Sequence, residues 1–436
     1  MGGSAVLLSI SSKSASPVHL VIVLLVCGLV YLGMVYLALR NWAAFPIWYI
    51  TLIAVCARLI LLPSQPLFDD DIHRYIWDGR VMSYGVNPYA YAPADNHLAG
   101  LRDANWAHIG YPEIRTIYPP AAQALFGAAY RLGITSIFGF KFVFFLFDLG
   151  NILMIIFLLG KMGLPKQWAI VYAWSPIAIK EFANSGHLEP VMLFFLLAVL
   201  YLWTSRGTPS VWAGILFAIS ILVKGVPILL IPPAFRLMKW RSSLACMAVV
   251  VLAFLPFSGA GFRVLSGSGM YARYWEFNGS LFALLSGLMR HLTGDASWVP
   301  VVARVVAALA IVCYGLYSAA RMNFDDPGSW ARSFRNVLAL SLFVMPTADP
   351  WYVCWLLPFL CIVPNRGLML LTVMCSLSYL YYAHQTFPVW IPVIEYAPVY
   401  GLLVLDLVTA RRSVGKLEKE SGFGIQDSGV TLEGGQ

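Results

Sequence analysis

Long apolar runs separated by short polar breaks set the pattern of this chain. By length and composition they fall at about 18–39, 42–62, 137–160, 167–183, 188–204, 209–223, 226–238, 243–257, 298–320, 336–348, 351–364, 367–384 and 397–410. A helix needs about 17 to 25 apolar residues to cross a hydrocarbon core, and several runs have that length. The pattern predicts an all-α polytopic integral membrane protein with a bundle of about 13 transmembrane helices. Two long polar stretches interrupt it, at 63–136 and 258–297. Within the first, Asp70 to Tyr84 spaces Ile72, Tyr75, Ile76 and Val81 as an amphipathic helix does, lying along the membrane surface. Gly85 to Pro93 reads as turns, and Tyr118-Pro119-Pro120 opens Ala121 to Leu132, a second interfacial helix too short to span.

Composition agrees with this reading and narrows the function classes. Hydrophobic residues make up 60% of the 436 and charged residues only 11%, against roughly 25% in a soluble domain. The net charge of +8 is not a nucleic-acid signal, because the basic residues sit between apolar runs. Placing Arg40, Lys161, Lys166, Arg206, Arg236, Lys239, Arg241, Arg321, Arg332, Arg335, Arg366, Arg411, Arg412 and Lys416 in the cytoplasm satisfies the positive-inside bias. The opposite face then receives the loops 63–136 and 258–297 and the turns near Asn184, Lys224 and Asp349, with the N-terminus outside and the C-terminus inside. One membrane domain is expected over 1–410, with a disordered cytoplasmic tail over 411–436. The first apolar run lacks the pattern of a cleavable leader and is expected to be retained as a span. The seven cysteines lie in or beside apolar runs without metal-ligand spacing, as packing residues do.

Chemistry concentrates in Phe68-Asp69-Asp70-Asp71-Ile72-His73-Arg74-Tyr75-Ile76-Trp77-Asp78-Gly79-Arg80. Asp71, Arg74, Tyr75 and Asp78 recur at spacings that put them on one helix face. A carboxylate near lipid suits a general base, and Arg74 suits a phosphate; equally, the face is a solvated helix whose Asp and Arg pair with each other. Three successive acids also offer hard oxygen ligands to a divalent cation, although neighbouring side chains on a helix diverge. Asp148 and Lys180 lie within or at the ends of apolar runs, where an ionisable group is either functional or paired inside the bundle.

The run from Asp71 to Gly79, with Asn87-Pro88-Tyr89 and Tyr118-Pro119-Pro120, resembles polyprenyl-phosphate-sugar-dependent glycosyltransferases of the GT-C superfamily, and bacterial mannosyltransferases in particular. The resemblance implies a GT-C-like bundle and an acidic motif at the start of the first large extracytoplasmic loop, whose Asp activates an acceptor hydroxyl. The common form is Asp-Glu followed three residues later by Tyr; here Asp70-Asp71 is followed by Tyr75, four residues after Asp71. Asp71 is therefore the first choice for the base, Asp70 the second and Asp69 the third. Asn184-Ser185-Gly186-His187-Leu188-Glu189-Pro190 is similar to the Gly-His-x-Asp turn of such enzymes, with Glu189 in the place of Asp, and assigns His187 and Glu189 to the sugar or acceptor. Leu222 to Pro227 resembles a lysine-containing break, with Lys224 for a lipid phosphate. Pro346 to Tyr352 is similar to a segment in which relatives carry His before Pro-Trp-Tyr; this chain carries Asp349, with Trp351 and Tyr352 as further sugar or acceptor contacts. The loop 258–297 offers Arg273 to the phosphate as part of a lid, or else caps the bundle.

The resemblance thus implies an inverting transfer of a monosaccharide, taken as mannose, from a polyprenyl-phosphate sugar to a lipid-linked or cell-envelope glycan. Asp71 and Asp70 are the catalytic candidates. Arg74, Lys224, Arg273 and Tyr75 are assigned to the donor phosphate, and Asp78, His187, Glu189, Asp349, Trp351 and Tyr352 to the sugar or acceptor. The expected place is the extracytoplasmic face of a bacterial plasma membrane. Partners are the donor, the acceptor and membrane lipids, with no nucleic acid. No cofactor is required, because polyprenyl phosphate is an adequate leaving group; a divalent metal is compatible but not expected. The other reading is a transporter or flippase of lipid-linked sugars, which would show internal repeats and broken helices near mid-membrane.

Overall fold

The computed structural model describes residue 3 and residues 16–204, 210–294, 296–386 and 388–422, with side chains up to residue 409. Arg206, the side chains of Arg411, Arg412 and Lys416, and tail residues 423–436 lie outside that description. The described chain is helical; its β pairing is limited to isolated bridges of Phe277 and Asn278 with Thr347. Among the described residues, five helices are long and apolar enough to cross a membrane: Pro17–Leu39, Ile137–Lys161, Trp240–Tyr274, Val299–Arg321 and Trp390–Thr409. Six further apolar helices have 10–17 residues. Trp240–Tyr274 turns Leu244, Met247, Val251, Leu252, Leu255 and Phe262 outward. Such an apolar exterior belongs in lipid, and the chain is a membrane protein.

Proline and capping residues explain where helices begin and break. Pro46 delays the second helix to Ile47–Leu61, inside the expected 42–62 run. Asp326 accepts the N–H of Gly328 at 2.8 Å and Pro327 occupies the first turn, so that helix starts well before its apolar run and covers Pro327–Val344. The run 167–183 is not one helix. It folds as the short pieces Lys166–Ala169, Ile170–Ala173 and Pro176–Ala178, followed by a π-helix over Ile179–Ser185. The π turn closes at Gly186, in the left-handed region at φ 79°; a Cβ there would come within 2.6 Å of Ile72 Cδ1.

Both helices expected at the interface are helical, as Asp71–Ser83 and Pro120–Arg131. The first buries Ile72, Tyr75, Ile76 and Gly79. At Gly79 the second helix comes so near that a Cβ would meet the Phe126 carbonyl oxygen at 2.5 Å, so the small residue permits the crossing. Tyr75 fills the seam, stacked on Phe126 with centroids 4.9 Å apart and edge-on to Tyr118 at 4.9 Å. The expected loop 258–297 is largely helical: the helix from Trp240 passes into a 3-10 stretch kinked at Gly261, a helix Ser266–Tyr274 follows, and an amphipathic helix covers Leu281–Thr293. Between them, Phe277 donates to Pro346 O at 3.0 Å and accepts from Ala348 N at 2.8 Å. Asn278 Nδ2 donates to Glu395 Oε1 on the last helix at 2.9 Å, which clasps this link to both elements.

Candidate active site

The acidic motif turns directly into the first interfacial helix. Asp69 Oδ1 accepts the backbone N–H of Asp71 at 3.0 Å, an Asx-type turn that sets Asp71 at the helix start. A carboxylate in that first turn also meets the favourable end of the helix dipole. The left-handed turn at Gly186 delivers His187 opposite it. His187 Nε2 lies 2.9 Å from Asp69 Oδ2 and 3.2 Å from Glu181 Oε2, while Nδ1 lies 3.5 Å from Asp71 Oδ2. The imidazole is fully buried and stacks on Trp351, with centroids 4.1 Å apart and planes at 25°. Tyr75 donates its hydroxyl to Asp71 Oδ2 at 3.3 Å. Of the three acids around the ring, Asp69 and Glu181 are sealed, whereas Asp71 keeps a third of its side chain exposed, at 33%.

The electrostatics divide the acids. Burial pushes the Asp71 carboxyl up, but the nearby imidazole of His187, with the charge of Lys224, outweighs it and holds the pKa below the usual carboxylate value. Burial alone would discharge His187; Asp69 first, then Asp71 and Glu181, hold its pKa well above the ordinary imidazole value. Asp349 is driven well above the carboxylate range by burial and then by the Asp71 charge, which favours its neutral form. Asp70 is exposed as a residue, but its carboxyl lies against Gly110; that desolvation, with the charges of Asp71 and Asp69, pushes it up to about 7.

The remaining predicted residues fall into two groups. Lys224, at the end of helix Val211–Val223, ion-pairs with the buried Glu189 and sits 5.2 Å above the Tyr352 ring. Tyr352 is buried and hydrogen-bonds through its hydroxyl to Tyr271. Asp71, Tyr75, His187, Glu189, Lys224, Asp349, Trp351 and Tyr352 therefore converge from four separate stretches of sequence. Arg74 and Asp78 turn instead toward the second interfacial helix. They pair with each other at 3.0 Å, Arg74 donates to Ile114 O at 3.0 Å, and Gln123 donates to Asp78 at 2.8 Å. Arg273 is exposed beside Tyr274, with 5.3 Å between its guanidinium carbon and the ring centroid, and touches none of the convergent residues.

Glu181 is the residue that sequence reasoning did not single out. It is fully buried, and Lys180 holds it at 3.3 Å while donating to Ser185 Oγ at 3.0 Å and Tyr379 OH at 2.7 Å. The available signal was the adjacent Lys180-Glu181 pair inside an otherwise apolar run, a costly placement in a membrane. Asp69, ranked behind its neighbours as a base, anchors both the helix start and His187.

Comparison with known proteins bears on this arrangement. Residues 3–240 match the family model described as "Alpha-(1->6)-mannopyranosyltransferase, N-terminal domain", a stretch that carries the acidic motif, His187, Glu189 and Lys224. The chain is 24% identical over 357 residues to a Corynebacterium glutamicum protein named alpha-(1->6)-mannopyranosyltransferase B; the match covers 70% of this chain and 57% of that relative. No solved structure matches. The family match covers more than half of the chain and agrees with the resemblance carried by its motifs: the chain belongs to the alpha-(1->6)-mannopyranosyltransferase family.

Proposed function

We propose that this protein is an inverting mannosyltransferase that takes mannose from a polyprenyl-phosphate donor and passes it to a hydroxyl of a lipid-linked or cell-envelope glycan. The observation that carries the reading is Asp71: a one-third-exposed carboxylate at the mouth of an otherwise sealed polar cluster, beside His187. Asp71 takes the proton of the acceptor hydroxyl as that oxygen attacks the anomeric carbon from the face opposite phosphate. The bond to the phosphate oxygen breaks and polyprenyl phosphate departs with the electron pair. Lys224, with three donors and one acidic partner, has donors left for a phosphate oxygen. Trp351, braced by His187, offers an aromatic surface to a sugar, and Asp349 a hydroxyl donor. The short helical pieces join the five long helices in a GT-C-like bundle of about thirteen crossings. The interfacial helices and the site then face the extracytoplasmic side of a bacterial plasma membrane. The transporter reading is not favoured by the family or the relative.

The test is transfer of radiolabelled mannose from synthetic polyprenyl-phosphate mannose into a host lipid extract. Wild type is expected to form product and folded Asp71→Asn to form none; equal product from both would move the base elsewhere.

A further inference from the structure

The His187 cluster has more acid than its bases answer, and its donor atoms lie where ligands of one ion lie. His187 Nε2 and a Glu181 carboxylate oxygen, from the two ends of one π turn, and Asp69 Oδ2, from the acidic motif, stand within 4.8 Å of one another. Around an ion with bonds of about 2.0 to 2.2 Å, donor pairs are separated by roughly 3 Å at right angles and about 4.3 Å when opposed. The measured 2.9 and 3.2 Å from Nε2 fall in that band. Independently of the acids, the fully buried imidazole makes no hydrogen bond through either ring nitrogen: the carboxylates are near, but not at a donating angle. Buried polar nitrogens are rarely left so. Charge points the same way. Asp69, Asp71 and Glu181 face Lys180 and His187, whereas Lys224 is answered by Glu189. Even an imidazolium leaves the group one charge negative, and a divalent ion in place of its proton makes it neutral.

We propose that Asp69, Glu181 and His187 bind one divalent transition-metal ion at the base of the transfer site. Two carboxylates and one imidazole suit manganese or zinc rather than a cation held by oxygen alone. Asp69 would ligate through Oδ2 while Oδ1 keeps the Asp71 N–H, so the ion is fastened to the helix start that carries the base. Lys180 plays the matching part for Glu181. The inference revises the expectation that no metal takes part, and its role in transfer rests on the reading of the site as a transferase.

The experiment is a Mn2+ titration of the full-length protein in detergent, read by loss of the free-ion paramagnetic resonance signal and by nitrogen spin-echo modulation of the bound ion. About one equivalent is expected, with imidazole-nitrogen modulation. His187→Ala and Glu181→Gln should weaken binding by at least about tenfold, whereas Asp71→Asn should keep the ion and lose transfer. Less than about a tenth of an equivalent on wild type, absence of nitrogen modulation, or unchanged binding in both ligand variants overturns the proposal. Because wild type alone supplies the first two readouts, a misfolded variant does not rescue it. A bound ion without mannosyl transfer would fault the transferase reading and leave the ion site standing.

Discussion

Arg58 on helix Ile47–Leu61 and Asp148 on helix Ile137–Lys161 meet, and Tyr172 donates to the second Asp148 oxygen at 2.7 Å while Arg58 donates to Ala173 O at 2.8 Å. One acid answers one base, and both are sealed. At His187 three acids crowd one imidazole, and one of them opens to the outside. The two clusters have similar residue types and burial, so neither feature alone marks a functional site. What separates them is charge balance and access: the first is closed and neutral, whereas the second retains unanswered acid at an open edge.

Breaking each cluster should therefore register in different measurements. Asp71→Asn should cut turnover by roughly 10²- to 10⁴-fold, the range for losing a general base, while the thermal unfolding midpoint holds. Asp148→Asn should do the reverse, costing about 3 to 5 kcal/mol of stability by stranding Arg58, with activity per folded molecule close to wild type. A thermal melt paired with a transfer assay separates the two; loss of specific activity in folded Asp148→Asn would dissolve the distinction. Lys224→Met should sharpen it by raising the KM for donor by about tenfold, the value of one charged hydrogen bond. Adding Glu189→Gln should restore stability but not that KM. Arg273→Ala, remote from the convergent residues, should show the smallest change of the series in donor titration; a loss as large as that of Lys224→Met would mean that the helix ending at Tyr274 swings inward.

Local patterns were the readable part of the sequence. The helices Asp71–Ser83 and Pro120–Arg131 lie within a residue or so of their expected bounds, because amphipathic spacing and the Pro-Pro start act within a few residues. The apolar runs gave the class of protein and most helix positions. They did not show that 167–183 breaks into pieces or that 258–297 carries helices. The first depends on Pro176 and on a π turn ending at Gly186, and the second on an amphipathic pattern hidden in a stretch read as polar. In the site, Asp71, His187, Lys224 and Trp351 were legible through motifs. Glu181 was not, since only the π turn and the left-handed Gly186 fold it back against His187, a local geometry that an apolar run does not signal. The shared face of Asp71, Arg74, Tyr75 and Asp78 was also only half informative: spacing put the four together, but packing against Gln123 turns Arg74 and Asp78 away from the cluster.

The clasp of Phe277 and Asn278 has a consequence for how such chains can diverge. It ties the segment leading to Asp349 and Trp351 to Glu395, and all of these lie beyond residue 240, where the family match ends. The matched stretch holds Asp71 and Lys224, while the residues beyond it hold Asp349, Trp351 and their fastening. Recombination between relatives near residue 240 would inherit Asp71 from one parent and its facing wall from the other. A chimera made that way works only if residues 277–278, 346–351 and 395 travel together as one heritable block.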